Sequence, residues 1–200
     1  MFLFRRCATK KKNRLLSDIA SAGRPLNFKT IFQELIYFFE KTSISYALIG
    51  AFALKAYGFV RATGDIDFIV TLSDQKKIID YLESLGYETL HRSSGFSNHL
   101  HPMAGLGRID FVYVAGETAQ KIFQDARRHE VFGDVALPVA SPEHLAALKI
   151  FALKNNPERT FQEMADLQFL IRLPGVDKET IKACFQKYDL MDKFDALYKT

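Results

Sequence analysis

One stretch, RATGDIDFIV (residues 61–70), constrains this chain more than any other. Strand side chains alternate, so Ile66, Phe68 and Val70 share one face while Asp65 and Asp67 share the opposite one. The apolar set reads as a buried face. Its neighbours are two carboxylates a few ångströms apart. At about 4 Å and an effective dielectric of about 20, two like charges repel by about 4 kcal/mol. Open water, a shared proton or a bound cation has to offset that repulsion. A second apolar strand, RIDFVYVA (108–115), adds Asp110 on the face of Val112 and Val114.

The flanking periodicities set these strands in an α+β frame. Residues 28–41 carry apolar side chains at helical spacing, with Asn27 as N-cap. SYALIG (45–50) reads as a short buried strand, and AFALKAY (51–57) as a helix stopped by Gly58. Residues 73–87 read as a helix capped by Ser73 and ended by Gly86. FSNHLHPM (96–103) and 108–115 flank the turn-forming AGLG, an antiparallel hairpin. VALPVAS (135–141) is a further strand, which Pro138 assigns to a sheet edge. Ser141 and Pro142 open a helix running to about 154. Another helix spans about 158–172, and one or two short ones fill 177–198. The sum is a small mixed sheet flanked by helices, with a helical C-terminal part. The expected division is a basic N-terminal segment (1–27), a core (28–118) and a mainly helical remainder (119–200).

Composition narrows the function classes. With 48% apolar and 25% charged residues the chain is expected to bury a real core. No apolar run approaches the ~20 residues of a membrane span, and MFLF, too short and on the wrong side of the basic residues, is not expected to act as a secretory leader. Cys7 and Cys184 lack any paired spacing, so a reducing cytoplasm is the expected setting. Net charge is +4, with the basic excess in RRCATKKKNR (5–14), either a solvated terminus or an arm for RNA. GxSxG, HExxH and Walker patterns are absent from the sequence, which leaves hydrolase, zincin and P-loop readings without support. His99 and His101 alternate without a third metal ligand at suitable spacing, and read as polar-face or substrate-groove residues.

A chemical constellation surrounds the opening stretch. Gly50-Ala51 sits at a strand-to-helix turn, where small residues serve either a tight turn or the approach of a phosphate to backbone N–H groups. Clustered carboxylates suit Mg²⁺, which takes one or two of them together with substrate phosphates. Two such ions, about 4 Å apart, clamp an in-line phosphoryl displacement. Lys149 is the only charge in LAALKIFAL (145–153), on a helix apolar nearly all round, and a buried lysine requires a partner. Arg61, four residues before Asp65, is a second cation within reach of phosphate.

Gly-Ala, then Asp-Ile-Asp on a strand, then a third Asp on a later strand resembles the nucleotidyltransferases of the DNA polymerase β superfamily. LIGAFALKAYGFVRATGDIDFIV, followed by VASPEHLAALKIFALK and a helix bearing ADLQFL, is similar to the AbiE-type nucleotidyltransferase toxins over roughly residues 44–172. That resemblance implies a polymerase-β-like fold and transfer of a nucleoside monophosphate from an NTP, with Mg²⁺ as cofactor, to an acceptor hydroxyl. It implies Gly50 and Ala51 on the nucleotide phosphates. Asp65, Asp67 and Asp110 become the metal ligands, Asp110 serving also as base. Lys149 and Asp166 match the lysine and aspartate that the AbiE-type proteins carry on two successive helices. A toxin–antitoxin or phage-defence role follows, with a tRNA 3′ end as acceptor and a cognate antitoxin as partner. Alternatives are a small-molecule or protein acceptor, and a non-catalytic nucleotide-binding module. Two positions depart from the pattern. Ala51 stands where Ser or Gly is usual, and Glu163 where Asp is usual. Thr160-x-x-Glu163 reads as a capping box, which leaves Glu163 outside the expected site.

Overall fold

The computed structural model describes residues 28–198 except 104, 133 and 134. Asn27, Cys7 and the basic segment therefore lie outside the described residues. One seven-stranded mixed sheet organises the chain, in the order β3-β4-β5-β2-β1-β7-β6. The strands are β1 (Tyr46–Ile49), β2 (Asp65–Thr71), β3 (Glu88–Arg92), β4 (Phe96–Leu100), β5 (Arg108–Val114), β6 (Arg127–Phe132) and β7 (Val135–Val139). The helices are α1 (Phe28–Lys41), α2 (Gly50–Ala56), α3 (Gln75–Ser84), α4 (Gly116–Asp125), α5 (Pro142–Asn155), α6 (Thr160–Leu170), α7 (Lys178–Lys187) and α8 (Met191–Ala196). Pairing is parallel between β2 and β5 and between β1 and β7, and antiparallel elsewhere.

Phenylalanines build the core under β2. Phe68 stacks on Phe32 from α1 and on Phe111 from β5, each at 5.9 Å between ring centroids, and meets Phe39 edge-on at 5.4 Å. Ile31, Leu35, Ile66, Ile109, Ile78 and Leu82 complete a fully buried layer between the sheet and its helices. At roughly 1.5–3 kcal/mol per buried apolar side chain, this layer is what holds the sheet against α1 and α3.

The expected helix 28–41, the strands at 46–49 and 65–71, the hairpin and the helix opened by Ser141 are all present. Ser141 Oγ accepts from the His144 backbone N–H at 3.3 Å. Four local expectations need correction. Ser73 does not cap α3, because a 3₁₀ turn (Leu72–Asp74) intervenes and α3 begins at Gln75 without a side-chain cap. Pro138 does not mark an edge, because β7 lies between β1 and β6. The β1–β7 register is one pair, Leu48 with Val139, so the missing N–H of Pro138 interrupts little ladder there.

His99 and His101 are not on a groove but inside the fold, 0% and 6% exposed. Ser97 Oγ lies 2.7 Å from His99 Nε2 and 2.6 Å from the Tyr113 hydroxyl, and burial pushes the His99 imidazole down to about 4. Strand β4 is thus reversed in polarity. Ser97 and His99 point inward, while Phe96 and Leu100, 45% and 43% exposed, point out. The fourth correction concerns α6, whose N-terminus lacks the capping box. Thr160 Oγ1 donates instead to the Pro157 carbonyl at 2.6 Å, and Glu163 is turned inward.

Candidate active site

Strand register brings the aspartates together. Asp67 lies opposite Asp110, and Asp65 opposite Arg108, in the parallel β2–β5 pair. Residues in register share a face, so all three aspartates occupy the side of the sheet opposite the Phe68–Phe111 core. Neighbouring strands stand about 4.8 Å apart, which sets the scale of the cluster.

The β1–α2 turn closes on this cluster. Gly50 has φ of +66°, a conformation L side chains rarely adopt, and a Cβ built there would overlap the Asp67 carboxylate. Both observations demand glycine. Ala51 is 3% exposed, its methyl group packed in the core, so that this turn offers backbone rather than side chain to a ligand. Gly50→Ala is expected to cost at least about 1–2 kcal/mol through the left-handed backbone alone, and to displace Asp67 as well. Thermal unfolding checks the first effect, and the crystal structure of the variant the second.

Electrostatics reflect the crowding. The Asp67 carboxyl is pushed up to about 6 by burial first, then by Asp110 and Asp65, against partial relief from Lys149 and Arg159. Arg108 is the local counter-charge that sequence reasoning missed. Its Nε donates to Asp110 Oδ1 at 2.8 Å, and that bond, with the three aspartates, raises the guanidinium further. The signal was available, since Arg108 and Asp110 alternate on one strand face.

A second, buried cluster lies on α5 and α6. Lys149, 7% exposed, donates from Nζ to Glu163 Oε2 at 2.9 Å and to Asp166 Oδ2 at 2.5 Å. Both acids are 1% exposed. Arg159 closes on Glu163 Oε1 at 2.8 Å. Arg61 reaches across from the α2–β2 loop, donating to Asp166 Oδ2 at 3.3 Å. Its Nε stands 3.3 Å from Asp166 Oδ1 but out of alignment, so these two buried atoms make no hydrogen bond. With its amide oxygen turned toward Arg61, Gln162 accepts from both terminal nitrogens, at 3.0 and 2.9 Å.

The expected residues therefore fall into two groups: Gly50, Ala51, Asp65, Asp67 and Asp110 at the sheet, and Arg61, Lys149 and Asp166 in the helical network. Glu163 and Arg159 belong to the second group. Glu163 and Asp166 are three apart on one helix, and Arg159 and Glu163 four apart, so both meet on the face toward Lys149. The capping-box reading hid this, because it assigned the Glu163 side chain to the start of its own helix.

No protein-family model matches the chain, and no curated protein matches it in sequence. Solved structures do share its fold. The antibiotic-resistance factor ANT(2″)-Ia superposes with a TM-score of 0.61 at 12% identity, over 84% of this chain and 93% of that one. The lincosamide antibiotic adenylyltransferase LnuA, with lincomycin bound, gives 0.52 at 17% identity over 70% and 94%. An antigenic nucleotidyltransferase-like protein from Paracoccidioides brasiliensis gives 0.52 at 16% over 87% and 97%. The chain has the polymerase-β-like nucleotidyltransferase fold.

Proposed function

We propose that this protein is an Mg²⁺-dependent nucleotidyltransferase that moves a nucleoside monophosphate from an NTP to an acceptor hydroxyl. The observation that carries the reading is the register of Asp67 with Asp110, beside Asp65 and against the Gly50 turn. The donor set fits the metal: it is all oxygen, negative, and includes one carboxylate whose ionisation its neighbours oppose. Among the described residues no three carboxylates, imidazoles or thiols are already gathered into a metal cage. Asp65, Asp67 and Asp110 would hold one or two ions jointly with substrate phosphates, as Mg²⁺ commonly is held. When bound, Mg²⁺ neutralises triphosphate charge and makes the acceptor hydroxyl easier to deprotonate.

The chain's own residues supply the rest. The Gly50-Ala51 backbone receives the phosphates. Asp110 accepts the acceptor's proton as the new oxygen–α-phosphorus bond forms and the bond to the β-phosphate oxygen breaks. Lys149, Arg159 and Arg61 raise the local potential against the departing pyrophosphate charge. Glu163 and Asp166 are positioning residues that fix the ammonium of Lys149.

Arg108 occupies one oxygen of Asp110. Arg108→Gln is expected to tighten Mn²⁺ binding several-fold in the nucleotide-free protein, since an internal cation competing for that carboxylate is gone. Calorimetric titration at fixed pH checks this, and weaker binding would make Arg108 a support for Asp110 rather than a competitor.

RNA is the first acceptor reading, with the toxin role and antitoxin partner supported by the AbiE-type resemblance. A small hydroxylated compound is the second, favoured by the likeness to ANT(2″)-Ia and LnuA. Incubation with α-³²P-labelled NTPs, Mg²⁺ and either total RNA, total protein or a panel of antibiotics separates them. Label on RNA supports the first reading, and label on an antibiotic the second. Transfer that survives Asp65→Asn with Asp67→Asn defeats the site assignment. Nucleotide binding without transfer to any acceptor would leave a non-catalytic module.

A further inference from the structure

Across the open sheet face, one row of residues runs outward from the aspartates. Asp67 on β2 is opposite Asp110 on β5, Asp110 is opposite Asn98 on β4, and Asn98 is opposite His91 on β3. The row continues the site for two more strands, roughly 10 Å beyond Asp110. Beside it, Phe96 lies opposite Val112 and Leu100 opposite Arg108 on the same face. The His91 and Phe96 rings stack at 4.5 Å between centroids, with their planes 19° apart.

The polarity of β4 makes this face unusual. A solvated face ordinarily carries the polar side chains of a half-buried strand. Here the strand buries Ser97 and His99 and turns Phe96 and Leu100 outward. Exposed aromatic and aliphatic groups contiguous with a reactive site mark a surface for a ligand.

Shape selects the ligand. Beyond the three aspartates that would hold the metal, the described residues of the face offer one acid, Glu88, opposite Leu100, and one cation, Arg108, already paired with Asp110. A nucleobase has a flat π-face for the Phe96–His91 stack, and edge donors and acceptors for the Asn98 amide. We infer that β3 and β4 form the acceptor platform, on which the terminal base of a single-stranded RNA stacks on Phe96 and His91 beside Asn98, directing its ribose hydroxyl to Asp110. This rests on the nucleotidyltransferase reading and specifies its acceptor.

The sequence contains no tryptophan, so Phe96→Trp makes a single fluorescent reporter that keeps the stacking surface. Titrating that full-length variant with a short single-stranded RNA bearing a free 3′ hydroxyl is expected to quench its emission saturably. Phe96→Ala is expected to weaken RNA binding, and to raise KM for the RNA acceptor, by about tenfold, as loss of one base–aromatic stack does. Its KM for NTP and its melting temperature should stay at wild-type values. Unchanged RNA affinity in Phe96→Ala overturns the platform. So does a tryptophan that RNA leaves unquenched. Saturable quenching by tobramycin or lincomycin and not by RNA overturns it too. Quenching by RNA while wild-type protein transfers no label keeps the platform and removes the transferase reading.

Discussion

Replacing Lys149 with methionine is expected to destabilise the protein by about 4 kcal/mol, seen as a fall in the urea midpoint at neutral pH. The change removes one charge and leaves two carboxylates, Glu163 and Asp166, each 1% exposed. Breaking a buried pair from one side strands the other charge in a medium that solvates it poorly. Arg159 and Arg61 relieve only part of this, since Arg159 is half exposed and Arg61 is imperfectly aligned with Asp166. The triple change Lys149→Met, Glu163→Gln, Asp166→Asn is expected to recover most of the loss, because it removes the stranded charges as well. Failure of the triple variant to recover would mean that packing of the lysine stem, and not charge, dominates. Either way, nucleotidyl transfer should fall with Lys149→Met alone, in the fraction that remains folded.

Asp67→Asn is expected to act in the opposite direction on stability. The folded pKa of about 6 lies above the ordinary value of 3.8, so between those values the folded chain binds more protons than the unfolded one. Stability therefore falls as pH rises from about 4 to 6, and stays lower at pH 7. Neutral asparagine removes that penalty and should stabilise the metal-free protein by up to about 3 kcal/mol at pH 7 while abolishing transfer. Melting curves from pH 4 to 8, at roughly unit steps across this window, should show the wild-type decline and its absence in the variant. Mg²⁺ should raise the wild-type melting temperature at pH 7 and leave that of the variant where it was. A destabilised Asp67→Asn protein would show that the carboxylate makes favourable contacts with the Gly50 turn that outweigh the like-charge repulsion.

The core and the aspartates were legible because alternation is a local signal. Ile66, Phe68 and Val70 announce a buried face, and the carboxylates between them announce the other. The edges were not legible for the same reason. Strands β3 (ETLHR) and β6 (RRHEVF) border the sheet, and their polar and charged side chains blunt the edges against further pairing. Such strands lack the hydrophobic alternation by which strands are found. Helix α4 is hidden in the sequence because it opens on Gly116, a residue that reads as a turn. Strand β4 misled in a further way: its period is that of a strand, but the polar set faces inward. Only the tertiary partners of Ser97 and His99, namely Tyr113 and Thr89, give that orientation a reason. Glu163 was obscured by a local motif that the fold did not use.

Mn²⁺ binding, followed by electron paramagnetic resonance in the presence of a non-hydrolysable NTP, tests the role of the three aspartates most directly. Wild-type protein is expected to convert the spectrum of free Mn²⁺ to a bound one, beyond what the nucleotide alone achieves, and the Asp65→Asn, Asp67→Asn protein to leave it at the nucleotide-only spectrum. Equal binding by the two proteins would contradict the assignment of the β2–β5 carboxylates as a cation site.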